Sequence, residues 1–222
     1  MKKLFIIIIL LSVIVIMGCG KESADLKTLK QALKTPYNPV IQKTQKGQIT
    51  AFNTVDKNQQ KALSIILTST ASDITPWLKE HIGEYSPIYL YAMANRTALI
   101  DKAPVKEMLF WANAANIRAA ADRQLCKDKF VGQYLTILNI ELIQPITAVY
   151  GQEVVQVLHN EQELKEIVKK AAEWDKQHPQ TNSPAWICSS GHGVSTAETF
   201  PLEEWEKIRA EFKKEYTASV YK

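Results

Sequence analysis

The sequence predicts a mostly α fold: one multi-helix domain, orthogonal or bundle-like, around a central buried helix at about residues 103–126. Signals for helix starts recur along the chain, namely Asp56 with Gln59, Ser86 before Pro87, and Asn160 with Glu163. The segment 103–126 carries apolar side chains on both sides of a helical wheel. Such a pattern is typical of a helix that its neighbours cover all round.

Three regions follow from the patterns along the chain: a leader at 1–18, a tether and irregular segment at 19–55, and the helical domain at 56–222. Within the second region, Ala24–Leu33 is compatible with a short helix and 47–55 with one short strand. The domain is expected to contain helices at about 56–70, 77–82, 86–95, 103–126, 130–150 (kinked at Pro145), 160–178 and 201–217, with a loop over 179–200.

The leader has the composition of a secretion signal. Lys2 and Lys3 precede an apolar run, Leu4–Met17, that only Ser12 interrupts. A membrane-spanning helix needs about 20 apolar residues. The run is shorter than that and has the length of a signal-peptide apolar region.

The end of this run, Ile16-Met17-Gly18-Cys19, resembles the bacterial lipobox. The resemblance implies that Cys19 is diacylated and becomes the N-terminus of the mature protein, which places the chain in the cell envelope, attached to a membrane by lipid. The residue after Cys19 is Gly20, whereas an Asp at this position would resemble an inner-membrane retention signal. We therefore expect the protein on the periplasmic face of the outer membrane if the cell is Gram-negative.

A second, looser resemblance concerns the mature domain. The segment 109–128, with Trp111, Arg118, Asp122 and Arg123, and the later Glu173-Trp174-Asp175 are loosely similar to small uncharacterised bacterial lipoproteins. This resemblance implies no activity.

Export also bears on the cysteines, because an exported chain meets conditions that permit disulfides. With Cys19 lipidated, Cys126 and Cys188 remain as an even pair. A disulfide between them would close a loop of about 60 residues and contribute on the order of 4 kcal/mol in the chain-entropy model. The alternative is two free thiols, one of them reactive.

Charge and motifs exclude several function classes. Without the leader the chain has 25 basic and 23 acidic residues, and no basic run is interleaved with aromatics, so we expect no nucleic-acid partner. The histidines show no paired-ligand spacing and no phosphate or dinucleotide loop is present, so we expect no metal and no cofactor.

Polar residues on the central helix are the first candidate site. Asn116 and Arg123 fall on one apolar stripe, and Arg118 and Asp122 share the opposite side. A buried charge needs a partner, so Asp122 is assigned to Arg118, and Glu141 on the next helix to Arg123. The five residues could line a polar pocket for a small anionic or polar ligand. A satisfied structural network is the favoured interpretation.

Two function classes remain open. The first is a non-catalytic helical domain that binds a protein partner in the envelope, for example an inhibitor or immunity protein against an exported toxin. The second is an envelope hydrolase that uses Cys188 or Ser189 with His192, which lie close together in one loop. The state of the disulfide separates the two in part, because an oxidised Cys188 cannot be a nucleophile.

Overall fold

The computed structural model describes residues 22–35, 57–128, 131, 146, 148–188 and 198–220, and these form one helical domain. The helices with described bounds are α1 (Ala24–Leu33), α2 (Lys57–Thr68), α3 (Ile74–His81), α4 (Pro87–Leu99), α5 (Val105–Gln124), α6 (Gln152–His159), α7 (Glu161–Gln177), α8 (Ala185–Cys188) and α9 (Trp205–Val220). Single 3₁₀ turns at Ile82–Glu84 and Leu202–Glu204 precede α4 and α9. The predicted mostly α fold class is confirmed.

Local signals set several helix ends. Pro87 is the first residue of α4, and the Asn160 side chain accepts a hydrogen bond from the Glu163 amide at 3.2 Å at the start of α7.

A short helix, α8, lies inside the segment that was predicted to be a loop throughout. It forms because the amides of Ile187 and Cys188 both donate to the Pro184 carbonyl. The predicted strand at 47–55 and most of the predicted helix at 130–150, including Pro145, lie outside the described residues.

Helix α5 is the central helix, as predicted. It contacts α4, α6, α7, α8 and α9. Its alanines are buried on both sides: Ala112, Ala115 and Ala119 belong to the main core, and Ala114 packs in a smaller cluster with α7. Small side chains on both sides bring the neighbouring backbones close to α5.

Helix α1 packs in the same core, although it lies in the segment predicted to be tether. Leu26 and Leu29 are buried in the main core cluster, and α1 packs against α2. The helix is also fixed at its start, since the Ser23 amide and hydroxyl both donate to Asp73, each at 2.8 Å. The backbone hydrogen bond from Ser23 is the largest cause that lowers the pKa of Asp73. The helical domain therefore includes α1 as well as the residues after 56.

A disulfide joins Cys126, just after α5, to Cys188 at the end of α8, across 62 positions of sequence. The same region holds an isolated antiparallel bridge between Cys126 and Thr199, and the Phe200 amide donates to the Leu125 carbonyl at 3.0 Å. The predicted pairing is thus the one in the structure. It ties the segment between α7 and α9 to the end of the central helix.

The position of α1 makes a testable prediction. Leu29→Ala removes a fully buried side chain, so the free energy of unfolding should fall by about 2–5 kcal/mol. Gln31→Ala, on the exposed side of the same helix, should change it by less than about 0.5 kcal/mol. Chemical denaturation measures both. Equal, small effects would mean that α1 is part of a tether and not of the core.

Candidate functional site

Two charged residues of α5, Arg118 and Asp122, are completely buried. The Arg118 guanidinium is held by groups from outside its own helix. Its Nε donates to Asp175 Oδ1 at 2.7 Å, its Nη1 to the Gly83 carbonyl at 2.6 Å, and its Nη2 to the His178 carbonyl. Arg118 therefore connects α5 to the end of α7 and to the turn after α3.

Asp122 has a different partner, Arg209 of α9. Its Oδ1 accepts hydrogen bonds from Arg209 Nε at 2.9 Å and from Arg209 Nη2 at 2.6 Å. Its Oδ2 accepts one from the Trp186 indole nitrogen at 2.7 Å. Both carboxylate oxygens of a buried charge are thus satisfied, as burial requires. The prediction that Asp122 pairs with Arg118 within α5 is wrong, because each reaches a partner on another helix.

A third cation completes the group. Lys213 follows Arg209 by one turn of α9, and its Nζ lies 2.7 Å from Asp175 Oδ2. We call these five side chains the charge cluster: Arg118, Asp122, Asp175, Arg209 and Lys213. Three cations and two carboxylates give it a formal charge of +1. The cluster joins the central helix to α7 and α9 at once.

Backbone carbonyls complete the shell around the two arginines. Arg209 Nη1 donates to the Gln180 carbonyl at 3.0 Å and Nη2 to the Asn182 carbonyl at 2.6 Å. Burial lowers the pKa of Arg118 and of Lys213, and in both cases Asp175 acts in the opposite direction. Burial likewise raises the pKa of Asp122 against the effect of Arg209. The protein thus compensates a large desolvation cost with direct ion pairs and carbonyl acceptors.

An aromatic stack supports the cluster on the α7 side. The Trp174 ring lies 4.7 Å below the Arg118 guanidinium and stacks on the His178 ring, with 4.5 Å between the ring centroids. Gly83 passes so close to His178 that a Cβ at position 83 would lie 2.9 Å from that side chain. A larger residue at 83 would force either His178 or the Gly83 backbone to shift. Both residues supply carbonyls that accept hydrogen bonds from Arg118, so either shift would disturb its shell.

The other predicted site residues lie apart from the cluster. Asn116 is half-buried and accepts a hydrogen bond from the Tyr91 hydroxyl at 2.7 Å. The prediction that Arg123 is buried is wrong. Arg123 lies in the last turn of α5, and its side chain is exposed to solvent. Glu141 lies outside the described residues. The predicted pocket of five residues therefore reduces to Arg118 and Asp122.

The partners that sequence reasoning missed carry a recognisable signal. Asp175 follows Val168 by seven residues and Ala171 by four, which places a carboxylate on the apolar stripe of α7. Arg209 is placed in the same way, four residues after Trp205 and three before Phe212. A charge on an apolar stripe is the signal that singles out Arg118 and Asp122 on α5, and the same signal marks these two residues on α7 and α9.

A groove opens beside the charge cluster, between α7 and α9. It has a volume of about 850 Å³, and its lining surface is mostly apolar. Ala172 and Lys176 contribute from α7, and Trp205, Ala210 and Ala218 from α9. Three members of the charge cluster reach this lining: Asp175, Arg209 and Lys213. The groove thus combines apolar walls with one end of a charged network, and its volume lies in the range of small-molecule sites, about 300–1,000 Å³.

The residues of the hydrolase hypothesis do not form a described site. Cys188 is bonded to Cys126, so in this state it has no thiol to act as a nucleophile. Ser189 and His192 lie outside the described residues. In the described part of the chain, no group of three or more His, Cys, Asp or Glu side chains is arranged to hold a metal ion.

A matched pair of substitutions on α5 tests the charge cluster. Arg118→Met removes one of the two cations that bind the buried Asp175 and the donor to the Gly83 and His178 carbonyls, so the free energy of unfolding should fall by about 3–5 kcal/mol. Arg123→Met changes the same residue type at an exposed position and should have an effect below about 0.5 kcal/mol. Urea denaturation compares the two midpoints. Similar midpoints for both variants would contradict a buried ion pair at Arg118.

Comparison with protein-family models, with curated protein sequences and with solved structures gave no match. Across the described ranges, no helix has both the length and the apolar character needed to cross a membrane. The features that bear on function are therefore the groove, the charge cluster and the lipobox-like run that ends at Cys19.

Proposed function

We propose that the mature chain is a lipid-anchored binding protein of the cell envelope, and that its helical domain holds a ligand in the groove between α7 and α9. The observation that carries this proposal is the groove itself, an apolar-walled space of about 850 Å³ next to a charged network. The lipobox-like run that ends at Cys19 supports the anchor.

The start of the domain indicates how the anchor would hold it. Ser23 is fixed to Asp73 by two hydrogen bonds and begins a helix of the core. Only four residue steps separate it from Cys19. Since an extended chain spans at most about 3.6 Å per residue, the acylated cysteine would lie within about 14 Å of Ser23. A lipid on Cys19 would therefore hold the domain against the membrane surface.

The groove supports binding more than it supports a reaction. The Arg and Asp side chains beside it are engaged with one another and with backbone carbonyls, at distances from 2.6 to 3.0 Å. General acid–base work needs a group free to exchange a proton with a substrate. These side chains are committed to one another and to the carbonyls, so we assign them the role of positioning the walls of the groove.

Labelling with an alkyne analogue of a fatty acid tests the anchor. Cys19→Ala should abolish incorporation of the label and leave the leader uncleaved, because the acyl acceptor is missing. Met17→Ala changes a position at which the lipobox tolerates different residues and should still be labelled. Continued labelling of the Cys19→Ala chain would overturn the lipid anchor.

Nile red, a neutral dye that fluoresces in apolar surroundings, tests the groove. The probe is mixed with the chain from residue 20 onward, which lacks the lipidation site Cys19 and retains every described residue. Ala210→Trp should fill the groove and suppress the fluorescence, since Ala210 is an exposed part of its wall. Lys207→Trp, at an exposed position outside the lining, should leave the signal unchanged. Equal fluorescence of the two variants would mean that the groove is not a binding site.

A further inference from the structure

We propose that the ligand of this groove is a free amphiphile with a single anionic head group, whose alkyl chain lies between α7 and α9 and whose head lies at Lys213. This inference rests on the proposed function and adds the chemical class of the ligand to it. Two independent properties of the groove support it, the unbalanced charge at Lys213 in its lining and the small side chains along its walls.

The charge cluster has one cation more than it has carboxylates, and the position of Lys213 shows where that excess lies. The side chains of Arg118, Asp122, Asp175 and Arg209 are at most 6% exposed, whereas that of Lys213 is 21% exposed and lines the groove. Arg209 and Asp122 compensate each other, and Arg118 and Asp175 do the same. The ammonium of Lys213 shares Asp175 with Arg118, so it has no carboxylate of its own within the cluster.

Two further lysines add positive charge to the lining of the groove. Lys176 of α7 and Lys214 of α9 also line the groove, and outside the charge cluster the lining has one carboxylate, that of Glu206. A cationic head group would add to an existing excess of positive charge. A neutral head group would leave that excess unbalanced. An anionic head group would balance it, and charge-assisted hydrogen bonds are the stronger kind.

The walls of the groove suit an alkyl chain. Ala172 lines the groove from α7, and Ala210 and Ala218 line it from α9. These side chains are short, so they leave the space between the two helices open. Trp205 and the largely exposed Leu202 supply larger apolar surface at the start of α9. An unbranched chain would bury methylene groups against this surface, and each buried methylene should strengthen binding about fourfold.

Calorimetric titration with three ten-carbon probes tests the charge preference. The probes are decanoate, decan-1-ol and decyltrimethylammonium, each below its micelle concentration, and the protein is the chain from residue 20 onward, without Cys19. Decanoate should bind at least about tenfold more tightly than the other two, which corresponds to one close charge pair of about 1.4 kcal/mol. Octanoate should bind more weakly than decanoate by about sixteenfold, for two fewer methylenes.

Variants locate the head group. Lys213→Met should reduce decanoate affinity to that of decan-1-ol and leave decan-1-ol itself unchanged, while Lys213→Arg keeps the preference for decanoate. Lys207→Met, on an exposed side of the same helix, should bind like the parent chain. Thermal unfolding shows whether Lys213→Met is folded. If it is not, Ala210→Trp provides the second test, because it replaces no side chain of the charge cluster, should fill the groove and should abolish decanoate binding.

Each other result contradicts a defined part of the proposal. Equal affinity for all three probes would overturn the anionic head group and leave the binding groove in place. Binding to phosphatidylglycerol vesicles without binding to free decanoate would overturn the free amphiphile in favour of a membrane surface. Absence of binding by every probe would overturn this inference, and the Nile red result then shows independently whether the groove binds anything.

Discussion

The arrangement of helices depends on one constraint: the charges of Arg118 and Asp122 are buried on the central helix, and neither pairs with the other. A buried charge without a partner costs several kcal/mol. Each therefore requires a neighbour to deliver a complementary group, Asp175 from α7 to Arg118 and Arg209 from α9 to Asp122. The requirement fixes where α7 and α9 lie around α5. It also fixes the groove that these two helices enclose.

Helix α9 shows this constraint most clearly. Among residues 205–218, whose exposure is described, Arg209 is the one buried side chain. The apolar residues along the same helix, such as Phe212 and Tyr216, are only half-buried. Most helices attach to a domain by burying an apolar stripe. This helix is attached mainly through two cations, with support from the disulfide and from Trp186, which bring the segment between α7 and α9 to Asp122.

Much of the fold was predictable because its signals are local. The start of α4 at Pro87, the Asn160 cap of α7 and the double-sided apolar pattern of α5 each depend on a few neighbouring residues, and all are confirmed. The pairing of Arg118 was not predictable in this way. Its partner lies 57 positions away, and spacing alone favoured Asp122 on the same helix. Arg123 shows the converse error: a helical wheel gives the side of a helix, but not whether a neighbour covers that side at its last turn.

Hydrogen exchange of the α9 amides in Arg209→Met tests the central role of the charge pairs most directly. If the pair with Asp122 holds α9 in place, protection should fall throughout α9 while the amides of α4, which has no residue in the charge cluster, keep theirs. Lys207→Met, on the same helix but exposed, should leave α9 protected. Unchanged protection of α9 in Arg209→Met would contradict this role. It would mean that half-buried apolar contacts are sufficient to hold the helix and to shape the groove.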